Sequence, residues 1–333
     1  MNFCTKCVLP DTFPGISFDE GGVCNYCRNT PVPDAEEKRV HLEKFEALLE
    51  SRRSKHPFDV LLAYSGGKDS TYTLSILTRR YKLKVLAFVF DNGFVSAQAL
   101  QNIRHMTDTL GAACIIFRPP FEIMKRAFGL AASTDIYSPK TLDRASSICT
   151  TCIGMVKAMI LKTALSYDIP LVAFGWSPGQ APISSAIMQT NPRLQRFSHR
   201  TIRDPLIERI GGDLKPYFLS DADLEVDASK WPVNIHPLAF LEYDEEEILK
   251  DIASLGWVKP LDTDPNSTNC LLNALANYLH RERFRFHPYA WEIAGIVRSG
   301  CMERSLGLSK VCEDEDMDMV NCAARLLGID VGQ

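Results

Sequence analysis

Residues 60–81 read VLLAYSGGKDSTYTLSILTRRY. A short apolar run, 60–64, has the character of a strand, and 71–81 reads as a helix. Between them stand Ser65, Gly66, Gly67, Lys68, Asp69 and Ser70. Two consecutive glycines admit positive φ and let backbone N–H groups approach an anion closely, while the start of the following helix adds the positive end of its dipole. Lys68 supplies a full charge, and Ser65 and Ser70 supply hydroxyls. The stretch therefore reads as a phosphate cradle. It lacks the GxxxxGK[ST] spacing of a Walker A loop, so transfer of a γ-phosphoryl group is not predicted.

Outward from this loop the chain alternates. A strand at 85–90 ends at Asp91, a helix covers 96–111, and a strand covers 114–117. The order βαβαβ predicts an α/β fold with a doubly wound parallel sheet, whose ligands sit at the carboxyl ends of its strands. Asp91-Asn92-Gly93 stands at one such end, beside the cradle if the first two strands are neighbours; a plain turn is the other reading. Residues 121–147 have mixed periodicity and no nameable chemistry. A helix at 155–167 leads to a strand at 171–174, closed by Gly175, Trp176, Ser177, Pro178, Gly179 and Gln180. Gly175 and Gln180 are expected at the ligand edge by position alone. A further strand is read at 235–241 and a helix with an acidic first turn at 244–255.

The texture changes at Pro260, Asp262, Asp264 and Pro265, and the rest, to Gln333, reads as mainly helical. The expected units are a knuckle at 1–30, a connecting helix within 31–56, the nucleotide domain at 57–262 and a helical region at 263–333. Arg193, Arg196, His199, Arg200, Arg203 and Arg209 form either a grip for a phosphate-bearing substrate or a solvated basic face. Arg281, Arg283, Arg285 and His287 are another candidate for anion contact. Acidic 313–318 reads as solvated surface.

The cysteines form two groups. Cys4, Cys7, Cys24 and Cys27 make two CxxC pairs with sixteen residues between them, the spacing of a four-cysteine zinc site. That stretch is too rich in turn formers to build its own core, so a tetrahedral metal would supply the folding energy. The amphipathic helix at 35–53, with Leu42, Phe45, Leu48 and Leu49 on one stripe, is expected to pack the knuckle against the core. Cys149, Cys152 and Cys270 all lie near predicted helix starts, where the dipole favours thiolate. They read as iron–sulfur ligands, as a redox or persulfide thiol pair, or as a second zinc site or inert thiols. Cys114, in a predicted buried strand, reads as a small hydrophobe, and Cys301, Cys312 and Cys322 show no ligand spacing.

The 333 residues are 46% hydrophobic and 23% charged, ordinary for a globular protein, with a net charge of −4. That balance argues against a broadly basic nucleic-acid surface and leans toward a small-molecule substrate. No apolar run of membrane-span length and no signal peptide is read, so a cytoplasmic protein is expected, in which 11 cysteines are ligands or catalytic thiols rather than disulfides.

SGGKDS after a strand resembles the pyrophosphate loop of the PP-loop ATP pyrophosphatases, which have a HUP-like sheet. That resemblance implies ATP cut between its α and β phosphates, with Ser65 to Ser70 holding the departing pyrophosphate, Asp69 orienting Mg²⁺, and the turn after the second strand helping to hold adenosine. The N-terminal CTKCVLPDTFPGISFDEGGVCNYC resembles the N-acetyl sugar amidotransferases of the same group, in which ammonia from a partner glutaminase displaces AMP. The CxxC plus a distant cysteine resembles the PP-loop tRNA thiolation enzymes, in which three cysteines hold a [4Fe–4S] cluster with one iron open to sulfide. Together these imply ATP, Mg²⁺, Zn²⁺ and a cluster as cofactors, and catalytic roles for Lys68, Asp69, Cys149, Cys152 and Cys270. The expected partners are a small molecule or tRNA as substrate, a sulfur donor or a glutaminase, and a second copy in a homodimer. The leading expectation is adenylation of a carbonyl oxygen followed by its replacement with sulfur. Amide transfer from ammonia and a regulatory nucleotide-binding protein without turnover are the alternatives.

Overall fold

The apolar runs around the glycine loop form the middle of one sheet in the computed structural model, which describes residues 1–53, 55–264 and 266–330. β1 (Val60–Ala63) lies between β2 (Val85–Phe90) and β4 (Leu171–Phe174). β3 (Ala113–Phe117) closes one edge; β6 (Val233–Ile235) and β5 (Ile187–Gln189) complete the other, giving the order β3-β2-β1-β4-β6-β5. Every pairing is parallel except β5 with β6. The chain steps outward from β1 to β3 and then returns across β1 to β4. The loops after β1 and β4 therefore diverge at a switch point, where open α/β sheets bind ligands.

Side chains alternate across the sheet and feed two cores. Leu61, Leu86, Phe88, Phe90, Val172 and Phe174 face α5 (Phe121–Ser133), α6 (Ser147–Ser166) and two later helices, α11 (Asn273–Phe284) and α14 (Met317–Leu327). Val60, Leu62, Val85, Ala87, Val89 and Ala173 face α2 (Ala35–Arg52), α3 (Lys68–Ser75), α4 (Ala97–Leu110) and α10 (Glu245–Ser254). Strands covered on both faces must be apolar throughout, which is why these runs were legible. α3 continues into a π-helical turn, Ile76–Arg80. The basic run becomes α7 (Pro192–Ser198), a second π-helical turn (His199–Arg203) and α8 (Asp204–Ile210), followed by α9 (Asp221–Leu224). α1 (Asn25–Asn29) belongs to the knuckle; α12 (Ala290–Arg298) and α13 (Arg304–Cys312) complete the C-terminal region.

Several expectations change. The knuckle does not rest on α2, whose Phe45 and Leu49 are buried against the sheet. It packs instead on α12 and α13: Phe13 stacks on Trp291 at 5.8 Å, and Val8 and Leu9 join Ala290, Ile293 and Val311. Cys114 is exposed, because β3 is an edge strand with three of its five residues open to solvent. The strand read at 235–241 stops at Ile235, and Pro237, which cannot donate to a ladder, begins a 3-10 turn. The helix read at 155–167 starts at Ser147, where the Ser146 hydroxyl caps the Cys149 amide at 3.2 Å. This α6 is, by length and composition, apolar enough to cross a bilayer, contrary to the expectation that no run approaches that length. It packs on β1, β4, α5 and α11, with 56% of its most apolar window buried. Pro265 and the last three residues of the predicted C-terminal region lie outside the described residues.

Candidate active site

The loop after β1 is built around Gly66, whose φ is +75°. A Cβ there would stand 2.8 Å from the Ala99 carbonyl oxygen, so glycine is required by both conformation and space. Gly67, with φ −75°, caps α3, and the Lys68 amide donates to Thr268 Oγ1 at 3.1 Å. Ser65 Oγ and Ser70 Oγ lie 3.1 Å apart, and Trp257 Nε1 donates to the Gly66 carbonyl at 2.9 Å. The loop is thus held from behind by residues almost 200 positions away.

In front of it opens a cavity of about 310 Å³. Ser65 and Ser70 line it, as do Gly175 and Gln180 from the loop after β4 and Cys149, Cys152 and Cys270. Phe88, Phe90, Phe128 and Phe174 make much of the wall apolar. Gly175 is pressed onto the start of α3, since a Cβ would stand 2.6 Å from Ser70 Cα. Cys149 occupies the first turn of α6 and Cys152 the second. Cys270 lies three residues before α11, in an isolated bridge with Val95. The Asn92 amide donates to Cys152 Sγ at 3.4 Å. Burial raises the pKa of all three thiols, Cys152 to about 12.

Lys68 lines a smaller cleft next door. Lys68 Nζ donates to Asp69 Oδ2 at 2.9 Å and to Tyr243 Oη at 3.1 Å. Burial works against this ammonium, but Asp69, Tyr243 and Glu245 together more than compensate and hold its pKa above the ordinary lysine value. Lys259 and Lys310 line the same cleft. Tyr289 and Glu292 line both openings and so form the partition between them. Ser177 Oγ donates to Glu292 Oε1 at 2.8 Å, and burial raises the Glu292 carboxyl to about 7. Asn273 donates to Tyr289 Oη at 2.8 Å and is itself held by Asn277. Asp91 does not line the cavity. Its carboxylate accepts from the Gly93 amide at 3.0 Å and lies 3.5 Å from Arg118, while Asn92 faces the opening.

Sequence reading missed Glu292, Tyr289, Tyr243 and Lys157. The first three reach the site from the C-terminal half of the chain and belong to no local motif. Lys157 stands two helical turns beyond Cys149 on α6, a spacing that puts it near the same side, and that was the available signal.

At the knuckle, all four cysteines are buried with Sγ atoms within 4.8 Å of one another. Cys4 to Cys27 and Cys7 to Cys24 are each 3.8 Å. That matches the edge of about 3.8 Å for a tetrahedron with metal–sulfur bonds of about 2.3 Å. Amides of Lys6, Cys7 and Cys24 donate to Cys4 Sγ, as thiolate ligands require. The residues fit a single tetrahedral ion. Cys149, Cys152 and Cys270 do not form such a group among the described residues. They share one cavity wall.

No family model matches the chain. An uncharacterized protein of Methanocaldococcus jannaschii is 22% identical over 302 residues, covering 90% of each chain. Among solved structures, the U34-tRNA thiolase NcsA from Methanococcus maripaludis with its [4Fe–4S] cluster matches with a TM-score of 0.38 at 16% identity, covering 98% of this chain and 89% of that one. NMN synthetase from Francisella tularensis matches with a TM-score of 0.38 at 11% identity, covering 89% of this chain and 98% of that one.

Proposed function

We propose that this chain is a PP-loop ATP pyrophosphatase that adenylates a carbonyl oxygen of an acceptor substrate and replaces that oxygen with sulfur delivered at Cys149, Cys152 and Cys270. One observation carries the reading: the serines of the phosphate cradle and the three thiols line a single, largely apolar cavity. ATP would place its α-phosphate over Ser65 and Ser70, with Asn92 on the adenosine side. Pyrophosphate would leave into the cleft of Lys68, Lys259 and Lys310, whose charge suits it. Asp69, released from Lys68, would orient Mg²⁺. The acceptor's carbonyl oxygen bonds to the α-phosphorus as the α–β bridge breaks. Sulfide then bonds to the carbonyl carbon as AMP departs.

The three thiols would hold a [4Fe–4S] cluster, which when bound supplies an iron without a protein ligand, open to sulfide. What the chain itself contributes is enclosure, the Asn92 contact to Cys152, and apolar walls that exclude water. The knuckle would hold zinc in a structural role, because all four ligands are protein thiols. A cytoplasmic setting, which keeps such thiols reduced, belongs to the same proposal.

Amide transfer from ammonia remains the second reading because of Glu292. A carboxylate with a pKa of about 7 at the cavity partition is placed to take the proton of an ammonium ion. Protein purified without oxygen, assayed for zinc, iron and acid-labile sulfide alongside Cys149→Ala, separates the two. Brown protein with about four irons and one zinc per chain, losing iron in the variant, supports sulfur insertion. Colourless protein with zinc alone, forming AMP and pyrophosphate equally well in the variant, overturns it in favour of ammonia.

A further inference from the structure

The cavity holds a positive charge that the proposed reaction does not use. Lys157 Nζ lies 4.5 Å from the centroid of the Trp176 ring, and the His236 ring stacks on that indole at 4.6 Å with planes 3° apart. Among the described residues, the Lys157 ammonium has neither a carboxylate nor a hydrogen-bond partner. Lys157 is half-buried at the cavity wall; an ammonium withdrawn from water is costly unless paired, and an indole face offsets only part of that cost. Burial lowers the Lys157 pKa to about 8 and, with Lys157 adding to it, lowers His236 to about 3, so the imidazole stays neutral. His236 Nδ1 is buried without a partner as well.

The rest of the lining does not supply the missing anion. Among the described residues Glu292 is the one carboxylate on the wall, and it accepts a hydrogen bond from Ser177. Arg144 adds a second cation, resting 4.7 Å from the centroid of the Trp291 ring. The cavity is therefore cationic as well as apolar, which fits a ligand that brings its own negative charge.

Position separates this charge from the nucleotide. Trp176 follows β4 and His236 follows β6, whereas Ser65 and Ser70 follow β1 and Asn92 follows β2. A nucleotide spanning the β1 and β2 ends leaves the β4 and β6 side for the second reactant.

We propose that Lys157, seated on Trp176, whose ring stacks with His236, binds an anionic group, phosphate or carboxylate, of the acceptor substrate and aims that substrate at the three thiols. The inference rests on the reading in which ATP occupies the cradle after β1. The test titrates inorganic phosphate and, separately, acetate into wild type, Lys157→Met and Lys157→Arg, with and without saturating magnesium α,β-methylene-ATP. Acetylation of Lys157 by acetic anhydride is followed by mass spectrometry in parallel. Expected results are anion binding that persists with the nucleotide analogue bound, protection of Lys157 by the anion, and binding weakened about tenfold or more in Lys157→Met but retained in Lys157→Arg. Stronger protection by phosphate than by acetate points to a phosphorylated acceptor, and the reverse to a carboxylate. Equal anion binding in wild type and Lys157→Met overturns the proposal. So does protection by the nucleotide analogue alone with exclusion of phosphate, which gives the lysine to ATP. Failure of the analogue to bind at all sinks the ATP reading instead, and the nucleotide-free titrations then decide the lysine independently. Lys157→Met should melt no lower than wild type, since it removes an unpaired half-buried charge while keeping most of the volume.

Discussion

Glu292 is the residue whose surroundings do most to its chemistry. Burial raises its carboxyl from 4.5 to about 7, opposed by the Ser177 hydrogen bond and reinforced by the Asp69 charge. A folded-state value above the unfolded one means the folded protein keeps its proton longer. The contribution to stability is full below pH 4.5 and is lost as pH rises through about 7, a loss of roughly 3 kcal/mol from this group. Glu292→Gln should abolish that part of the slope, so that the variant gains on wild type between pH 5 and pH 8. Unfolding midpoints measured across that range check it, and parallel curves for the two proteins would show that the carboxylate is solvated. At this scale the cradle residues were legible because a glycine pair, a lysine and hydroxyls fall within six positions. Glu292, Tyr289 and Lys157 were not, because each is an ordinary residue in or just before a helix and acquires its role only from what packs against it.

At the scale of elements, the loop after β4 and helix α12 approach backbone to backbone at Gly179 and Gly295, beside the Ser177–Glu292 hydrogen bond. A Cβ on Gly179 would stand 2.0 Å from the Glu292 carbonyl oxygen, and one on Gly295 would stand 2.6 Å from Gly179 Cα. This contact sets the distance between Ser177 and Glu292, and so the width of the cavity partition. Gly179→Ala should destabilise the protein by about 1–3 kcal/mol and lower ATP turnover, because backbone on both sides must move. Gly129→Ala, in the interior of α5 with nothing within 4 Å of its Cβ, should instead stabilise by up to about 1 kcal/mol. Thermal unfolding of the pair tests the claim, which fails if both variants shift the same way. The strands that proved easiest to read, β1, β2 and β4, are buried on both faces and carry unbroken apolar runs. β5 has three half-exposed or exposed residues and left no comparable signal. The start of α6 was read too late because Cys149, Thr150, Thr151 and Cys152 form no apolar stripe; their side chains answer to the cavity and to partners such as Tyr137, which lies 2.7 Å from Thr151 Oγ1.

At the scale of the whole molecule, the two cysteine groups are coupled through the C-terminal helices. Arg304 Nε, at the start of α13, donates to the carbonyls of Cys4 and Cys7 at 3.1 and 2.9 Å, and its Nη2 donates to Cys4 at 2.7 Å. Phe13 and Tyr26 enclose Trp291 from the knuckle side, while Arg144 and Arg298 lie over the same indole. Trp291 precedes Glu292 on α12, and Arg144 lines the cavity, so the knuckle braces both the partition and the wall. A segment whose own core is this small would depend on the metal proposed for it, so removing that ion should loosen α12 without touching the cradle. Chelation of the knuckle metal, or Cys24→Ser, should lower the thermal midpoint by several degrees and reduce acceptor turnover about tenfold or more while nucleotide binding changes little. Fluorescence of Trp291, read in a variant with the other three tryptophans replaced by phenylalanine, should shift toward water exposure as metal leaves. The outcome that would sink the coupling is full acceptor turnover by metal-free protein with an unchanged Trp291 spectrum, since the knuckle would then be a separate module that merely rests on the enzyme.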